Sequence, residues 1–180
     1  SHLQSLQFND INEIAKRIAS TWQSSKIQAL SESTQQKMAG LINAALLTIA
    51  KQTEAQQETV GRFLDFLEQI ARRTAYLSLL TEFPHALERV VRMMAASDWA
   101  AKFLNRHPIL LDELLDESVL HQVPDWLEFE NELMSALKTQ EGDIESQLDT
   151  LRESHHALLF RLLAQDLEGR VSVEHLADLL

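Results

Sequence analysis

The sequence predicts an all-α protein, a multi-helix bundle of amphipathic helices with short connections and no sheet. Three observations predict it. Apolar residues recur three or four positions apart through most of the 180 residues, the spacing that gathers side chains on one face of a helix. Only four glycines and three prolines are present, too few for the many tight turns of a sandwich or barrel. No segment alternates β-branched and polar residues as a half-buried strand would. Amphipathic helices joined by short connections must pack on one another to bury their stripes.

The helices are expected in this order. Asn9 or Asp10 caps the first, since a short polar side chain accepts from free N–H groups; Ile11, Ile14, Ala15, Ile18 and Trp22 form its apolar face. Ser24-Ser25 loosens it. Ser33-Thr34-Gln35-Gln36 fits a capping box, with Met38, Leu41, Ile42, Ala45, Leu46 and Ile49 behind it. Thr53-Glu54-Ala55-Gln56 reads as a second capping box, before Val60, Phe63, Leu64, Leu67 and Ile70. A short helix with Tyr76, Leu77 and Leu80 begins near Arg73-Thr74. Pro84 suits the first turn of the next, where its missing N–H costs nothing; Leu87, Val90, Val91 and Met94 face inward there.

Ser97-Asp98 caps a helix holding Trp99, Phe103 and Leu104 as core residues, and His107-Pro108 ends it and starts another to about Leu115. The pattern lapses between Glu117 and Val123, so the chain divides into residues 1–116 and 117–180. Pro124 opens a helix with Leu127, Leu133, Met134 and Leu137 inward. Gly142 closes it in a left-handed turn. Asp143 caps the longest helix, with Ile144, Leu148, Leu151, Leu158, Leu159, Leu162 and Leu163 inward, and Gly169 ends it. Ser172 caps a last helix with Val173, Leu176 and Leu179. No fixed-period repeat is visible, which argues against a solenoid.

Composition removes several function classes. The net charge of −11 repels nucleic acid, whose binding needs a basic surface; the densest basic spot, Arg72-Arg73, is too small. No run approaches the ~18 apolar residues of a membrane span, and no basic-then-apolar leader opens the sequence. A soluble, cytoplasmic protein is the expectation. Cysteine is absent, so disulfides and thiolate metal sites are excluded. Ser1-His2 looks like the scar of a cleaved tag, and His2 carries no weight as a ligand.

The search for chemistry is mostly negative. Gly40, Gly61, Gly142 and Gly169 are scattered, so no glycine-rich phosphate loop exists. Nucleotidyl transfer uses metal ions held by paired carboxylates, usually a Gly-Ser turn followed by Asp-x-Asp, and neither motif occurs. Asp143-Ile144-Glu145 comes nearest and reads better as a helix cap. Glu153 and His156 match half of a helical di-metal site, and a second such pair is missing. Asp112, Glu113, Asp116 and Glu117 form an acidic helix face, either a cation site or a solvated surface. Arg72, Arg73 and Tyr76 could hold an anion or a partner, with a helix-end ion pair as the plainer reading. No metal and no cofactor is expected in this chain.

Several stretches together resemble one family. Phe63-Leu64-Asp65-Phe66-Leu67-Glu68-Gln69-Ile70 leads into Arg72-Arg73-Thr74-Ala75-Tyr76-Leu77, then Glu82-Phe83-Pro84-His85-Ala86-Leu87 and Ala96-Ser97-Asp98-Trp99. Arg106-His107-Pro108-Ile109-Leu110-Leu111-Asp112-Glu113-Leu114-Leu115-Asp116 closes the run. This order is similar to the central region of the bacterial glutamine synthetase adenylyltransferases. His156-Ala157-Leu158-Leu159-Phe160-Arg161-Leu162-Leu163-Ala164-Gln165-Asp166-Leu167-Glu168-Gly169 resembles the helix leading into that family's second transferase half, and Ser172 to Leu180 continues it. Phe83 stands where the family pattern has Asn, and residues 117–150 match poorly.

The resemblance implies a parent enzyme with two nucleotidyltransferase domains that use ATP and magnesium. One attaches AMP to a tyrosine of glutamine synthetase, and the other removes it by phosphorolysis. Residues 1–116 would be a linker and regulatory bundle, and residues 117–180 the helices leading into the second half. The flanking transferase domains, the PII signalling protein and glutamine are the implied partners. Arg72, Arg73, Tyr76, His107, Asp112 and Glu113 lie in the matching motifs and are the candidate partner or interdomain contacts; no catalytic residue carries over. The rival readings are an independent helical adaptor and a metal-dependent bundle enzyme. The pattern that runs unfinished into Asp178-Leu179-Leu180 weighs against the adaptor.

Overall fold

The computed structural model describes residues 8–52, 54–115, 125–167 and 169. They are helical almost throughout, with no strand among them. The helices are α1 (Ile11–Gln23), α2 (Ser25–Gln28), α3 (Glu32–Ile49), α4 (Gln56–Ile70), α5 (Thr74–Glu82), α6 (Pro84–Ala96), α7 (Asp98–Arg106), α8 (Leu111–Leu115), α9 (Trp126–Thr139) and α10 (Ile144–Leu167). A 3-10 turn, Pro108–Leu110, joins α7 to α8. The chain forms two compact units, residues 1–115 and 116–180.

Unit one is built around α4, which packs against α1, α3, α5, α6 and α7. Its sequence explains why. Most surface helices have one apolar stripe, but α4 buries Val60, Phe63, Leu64, Phe66, Leu67 and Ile70 over a wide arc. Two phenylalanines fully buried on one helix anchor the core, each contributing about 1.5–3 kcal/mol. Helix α3 brings Met38, Leu41, Ile42, Ala45, Leu46 and Ile49 to this core, and α6 brings Leu87, Val90, Val91 and Met94. These are the stripes that the spacing predicts.

Helix starts follow local chemistry, with two corrections. Asp10 accepts from the Glu13 amide at 3.1 Å, and Ser97 from that of Ala100 at 3.2 Å. Lys102 then holds the Asp98 carboxyl below its usual range, mainly through a side-chain hydrogen bond. The cap of α3 is Ser31 and not Ser33: the Ser31 hydroxyl accepts from the Thr34 amide and lies 2.8 Å from the Thr34 hydroxyl. Ser33 is thus inside the first turn.

The expected box at residues 53–56 does not form. Thr53 lies outside the described residues, and α4 starts at Gln56 after Ala55, which is left-handed (φ 53°) and makes no side-chain cap. The Gln56 side chain is turned to tertiary work: its oxygen accepts from the Asn9 amide at 3.1 Å, and its nitrogen donates to the Gln52 carbonyl at 2.9 Å. Trp99 is a third correction. It is 36% exposed and stacks on buried Phe103, centroids 5.3 Å apart, so it shields the core edge without entering it.

Unit two is a hairpin of α9 and α10, which pack on each other. The Asp125 carboxylate starts α9 by accepting from the Leu127 and Glu128 amides, both at 3.0 Å; Pro124 lies outside the described residues. Gly142 carries the chain through the turn at φ 95°. Asp143 then caps α10, accepting from the Ser146 amide at 3.1 Å and its hydroxyl at 2.7 Å. Those bonds hold the Asp143 carboxyl below its usual range, the Ser146 side chain first. Across the turn, Gln147 donates to the Leu137 carbonyl at 3.1 Å and Thr150 to the Gln140 side chain at 2.8 Å.

The expected inward positions are only partly inward here. Leu162 is buried, and Leu133, Leu137, Leu158, Leu159 and Leu163 are half-buried, while Phe160 and Ala164, outside the expected set, are buried. Leu127, Met134, Ile144, Leu148 and Leu151 are exposed, at 69, 61, 72, 46 and 41%. A two-helix hairpin has one seam, and these residues fall outside it. The helix expected from Ser172 lies outside the described residues.

Candidate functional site

The sequence-derived candidates separate into two places. Arg72 and Arg73 follow α4, and Arg73 immediately precedes α5. With Lys26, Glu68, Gln69 and Ala71 they line a surface cavity of about 320 Å³. Both arginines are exposed and Tyr76 is half-buried. The Arg73 guanidinium carbon lies 6.0 Å from the Tyr76 ring centroid, the outer limit of a cation–π contact. The Tyr76 amide donates to the Arg73 carbonyl at 3.0 Å, so this trio is fixed by one helical turn. No ion pair among the described residues engages Arg72 or Arg73, so the helix-end pair expected there is not made.

His107 and Asp112 belong to the far end of α7 and to α8. The His107 amide donates to the Phe103 carbonyl at 2.9 Å, and its ring lies 4.6 Å from that of Phe103. His107 therefore terminates α7 and packs, immediately before Pro108 sets the 3-10 turn. Asp112 is exposed on α8. The side chain of Glu113, and Asp116 and Glu117 entirely, lie outside the described residues. Among the described residues no three His, Cys, Asp or Glu side chains gather where a cation would sit. Glu153, of the half di-metal pattern, is exposed and His156 half-buried on α10.

Sequence reasoning missed the arginines that tie helices together. Arg62 of α4 donates to the Met94 carbonyl at 2.6 Å and pairs with Asp98 at 3.5 Å, so it spans the α6–α7 corner. Arg89 of α6 donates to the Leu114 carbonyl in α8 at 2.8 Å. Arg17 of α1 pairs with Asp65 of α4. Each meets a terminal carbonyl or a carboxylate, the acceptors that suit a guanidinium fork. Their partners are 25 to 48 residues away, beyond the reach of local spacing.

The comparisons with known proteins bear on what these surfaces serve. The family model for glutamate-ammonia ligase adenylyltransferase matches residues 87–180, just over half of the chain. The bifunctional glutamine synthetase adenylyltransferase/adenylyl-removing enzyme of Ralstonia nicotianae is 44% identical over 178 residues, covering 99% of this chain and 18% of that protein. The enzyme of the same name from Aromatoleum aromaticum is 49% identical over 133 residues, 74% of this chain and 14% of that protein. The one from Burkholderia mallei is 41% identical over 179 residues, 99% of this chain and 19% of that protein. The chain thus spans less than a fifth of the length of these relatives. The resemblance read from residues 63–116 and 156–163 is borne out, and the chain belongs to the glutamate-ammonia ligase adenylyltransferase family.

Proposed function

We propose that this chain is a non-catalytic linker and regulatory segment of an enzyme that adenylylates and deadenylylates glutamine synthetase. It joins two nucleotidyltransferase domains and biases which of them acts. The observation that carries this reading is family membership in a chain that spans under a fifth of its relatives and contains neither a Gly-Ser turn nor an Asp-x-Asp pair. The all-helical, arginine-tied bundle supports it, since a segment that relays a state must be stiff enough to hold one arrangement. Bias arises only if an effector favours one arrangement over another. PII protein and glutamine are the proposed effectors, and glutamine synthetase the substrate. The described residues offer no cluster that fits magnesium, so this reading places ATP and metal in the flanking domains. A cytoplasmic location belongs to the same reading; no helix among the described residues is long and apolar enough to cross a membrane.

Domain replacement tests it. In the parent enzyme, residues 1–180 are exchanged for a flexible linker. Each activity toward glutamine synthetase should persist, while glutamine no longer selects between them. Loss of one activity's chemistry, with the other domain intact, would place catalytic groups in this chain. Calorimetric titration of the isolated chain with PII, with and without glutamine, then separates a sensor from a spacer.

A further inference from the structure

The exposed leucines of unit two share one surface. The seam between α9 and α10 uses half-buried positions three and four apart: Phe129, Leu133, Ala136 and Gln140 on one side, Gln147, Thr150 and Ser154 on the other. Relative to that seam, Leu127, Met134 and Leu137 are rotated forward along α9. Ile144, Leu148 and Leu151 are rotated in the same sense along α10. In an antiparallel pair the same sense of rotation on both helices leads to the same side. The six residues therefore lie on one side of the hairpin, five of them exposed and Leu137 half-buried, along about 15 Å of α9, the rise of the stretch from residue 127 to residue 137. A cleft of about 600 Å³ lined by Met134, Ser135, Leu137, Lys138, Glu141 and Gln147 opens beside the turn.

This side of the hairpin is also acidic: Glu130 lies between Leu127 and Met134 on the same stripe of α9, Glu141 follows Leu137 on it and Glu145 stands beside Ile144, against Lys138, while Arg152 is engaged by Asp149 at 2.8 Å. A second copy would set glutamates against glutamates, whereas a basic border would meet its complement. The shape is a shallow groove between two helices, which a third helix fills in a bundle. Relatives are more than five times as long as this chain, and a helix on the same polypeptide docks at high effective concentration.

We propose that the α9–α10 face binds, within the parent polypeptide, an amphipathic helix from outside residues 1–180 whose apolar stripe is flanked by lysine or arginine. This rests on the reading of the chain as one segment of a longer enzyme, and it names the contact that segment makes.

The absence of cysteine from the chain makes alkylation a clean probe. Met134→Cys, Leu148→Cys and, on the opposite side of the hairpin, Glu132→Cys are placed singly in the 180-residue chain and in the full-length parent. Peptide-resolved alkylation rates are then compared. Docking predicts rates at 134 and 148 at least about tenfold slower in the parent, with 132 unchanged. That protection should relax near 1 M salt, where screening acts within about 3 Å. Equal rates in both proteins would overturn the proposal. So would protection that appears only with rising protein concentration, the signature of a second copy, or protection indifferent to salt. None of these outcomes touches the domain-replacement result, so the two readings fail separately.

Discussion

At the scale of single residues, short-range chemistry was the easiest to read. Asp10, Ser97 and Asp143 cap the helices expected of them because an N-cap needs only an acceptor within three residues. Asp143 also gives a pH signature. Its carboxyl is held below its usual range by Ser146, so the folded chain binds that proton less readily than the unfolded one. The resulting stability is present above the unfolded value, about 3.9, and is lost as pH falls through the folded value. Asp143→Asn keeps a capping side chain and removes the charge. The hairpin of the original should therefore resist urea better than the variant at neutral pH, and equally in strong acid, followed by helical circular dichroism. Arg62 shows the reverse case, a residue whose role no local pattern announces. Arg62→Ala leaves the Met94 carbonyl and Asp98 without their shared donor and should cost about 2 kcal/mol in equilibrium unfolding. Arg62→Lys should recover only part of it, because an ammonium lacks the planar fork.

At the scale of elements, periodicity identified which helices exist and less well which of their faces are covered. The stripes of α3, α4 and α6 are buried as spaced. Those of α9 and α10 are equally regular, yet Leu127, Met134, Ile144, Leu148 and Leu151 are exposed. Spacing reports that a face is apolar; whether a partner lies within these residues is a property of topology. Of the candidate contacts, Arg72, Arg73 and Tyr76 could be grouped from sequence because they sit within one turn, while His107 proves to be a helix terminator packed on Phe103. Glycine separates helix interior from turn. An added methyl at Gly40 meets nothing within 4 Å in α3, so Gly40→Ala should stabilise by about 0.5–1 kcal/mol. Gly142 has equal room but a φ of 95°, so Gly142→Ala should destabilise by about 1 kcal/mol or more. Matched urea curves decide both.

For the whole molecule, the two units differ in how they are held. Unit one has a continuous core centred on α4, whereas α9 has no buried residue. Few buried contacts mean a low free energy of local opening. Amides of α9 should exchange with deuterium faster than those of α4 in the isolated chain, and mass spectrometry resolved by peptide measures it. Protection of α4 and α9 to the same extent would show the units unfolding as one.

The corner at Ala55 has a consequence for the order of events in folding. An alanine in left-handed backbone is disfavoured locally, and no side-chain cap offsets it. The conformation is secured instead by Gln56, whose tie to Gln52 is local and whose tie to Asn9 exists only once the residues before α1 are in place. The corner thus gains its last hydrogen bond when the residues before α1 reach the start of α4. Residues that usually direct a chain around a bend are replaced here by a bend that the assembled bundle imposes. Relaxing it by Ala55→Gly would act on the rate of unfolding and leave the rate of folding nearly untouched.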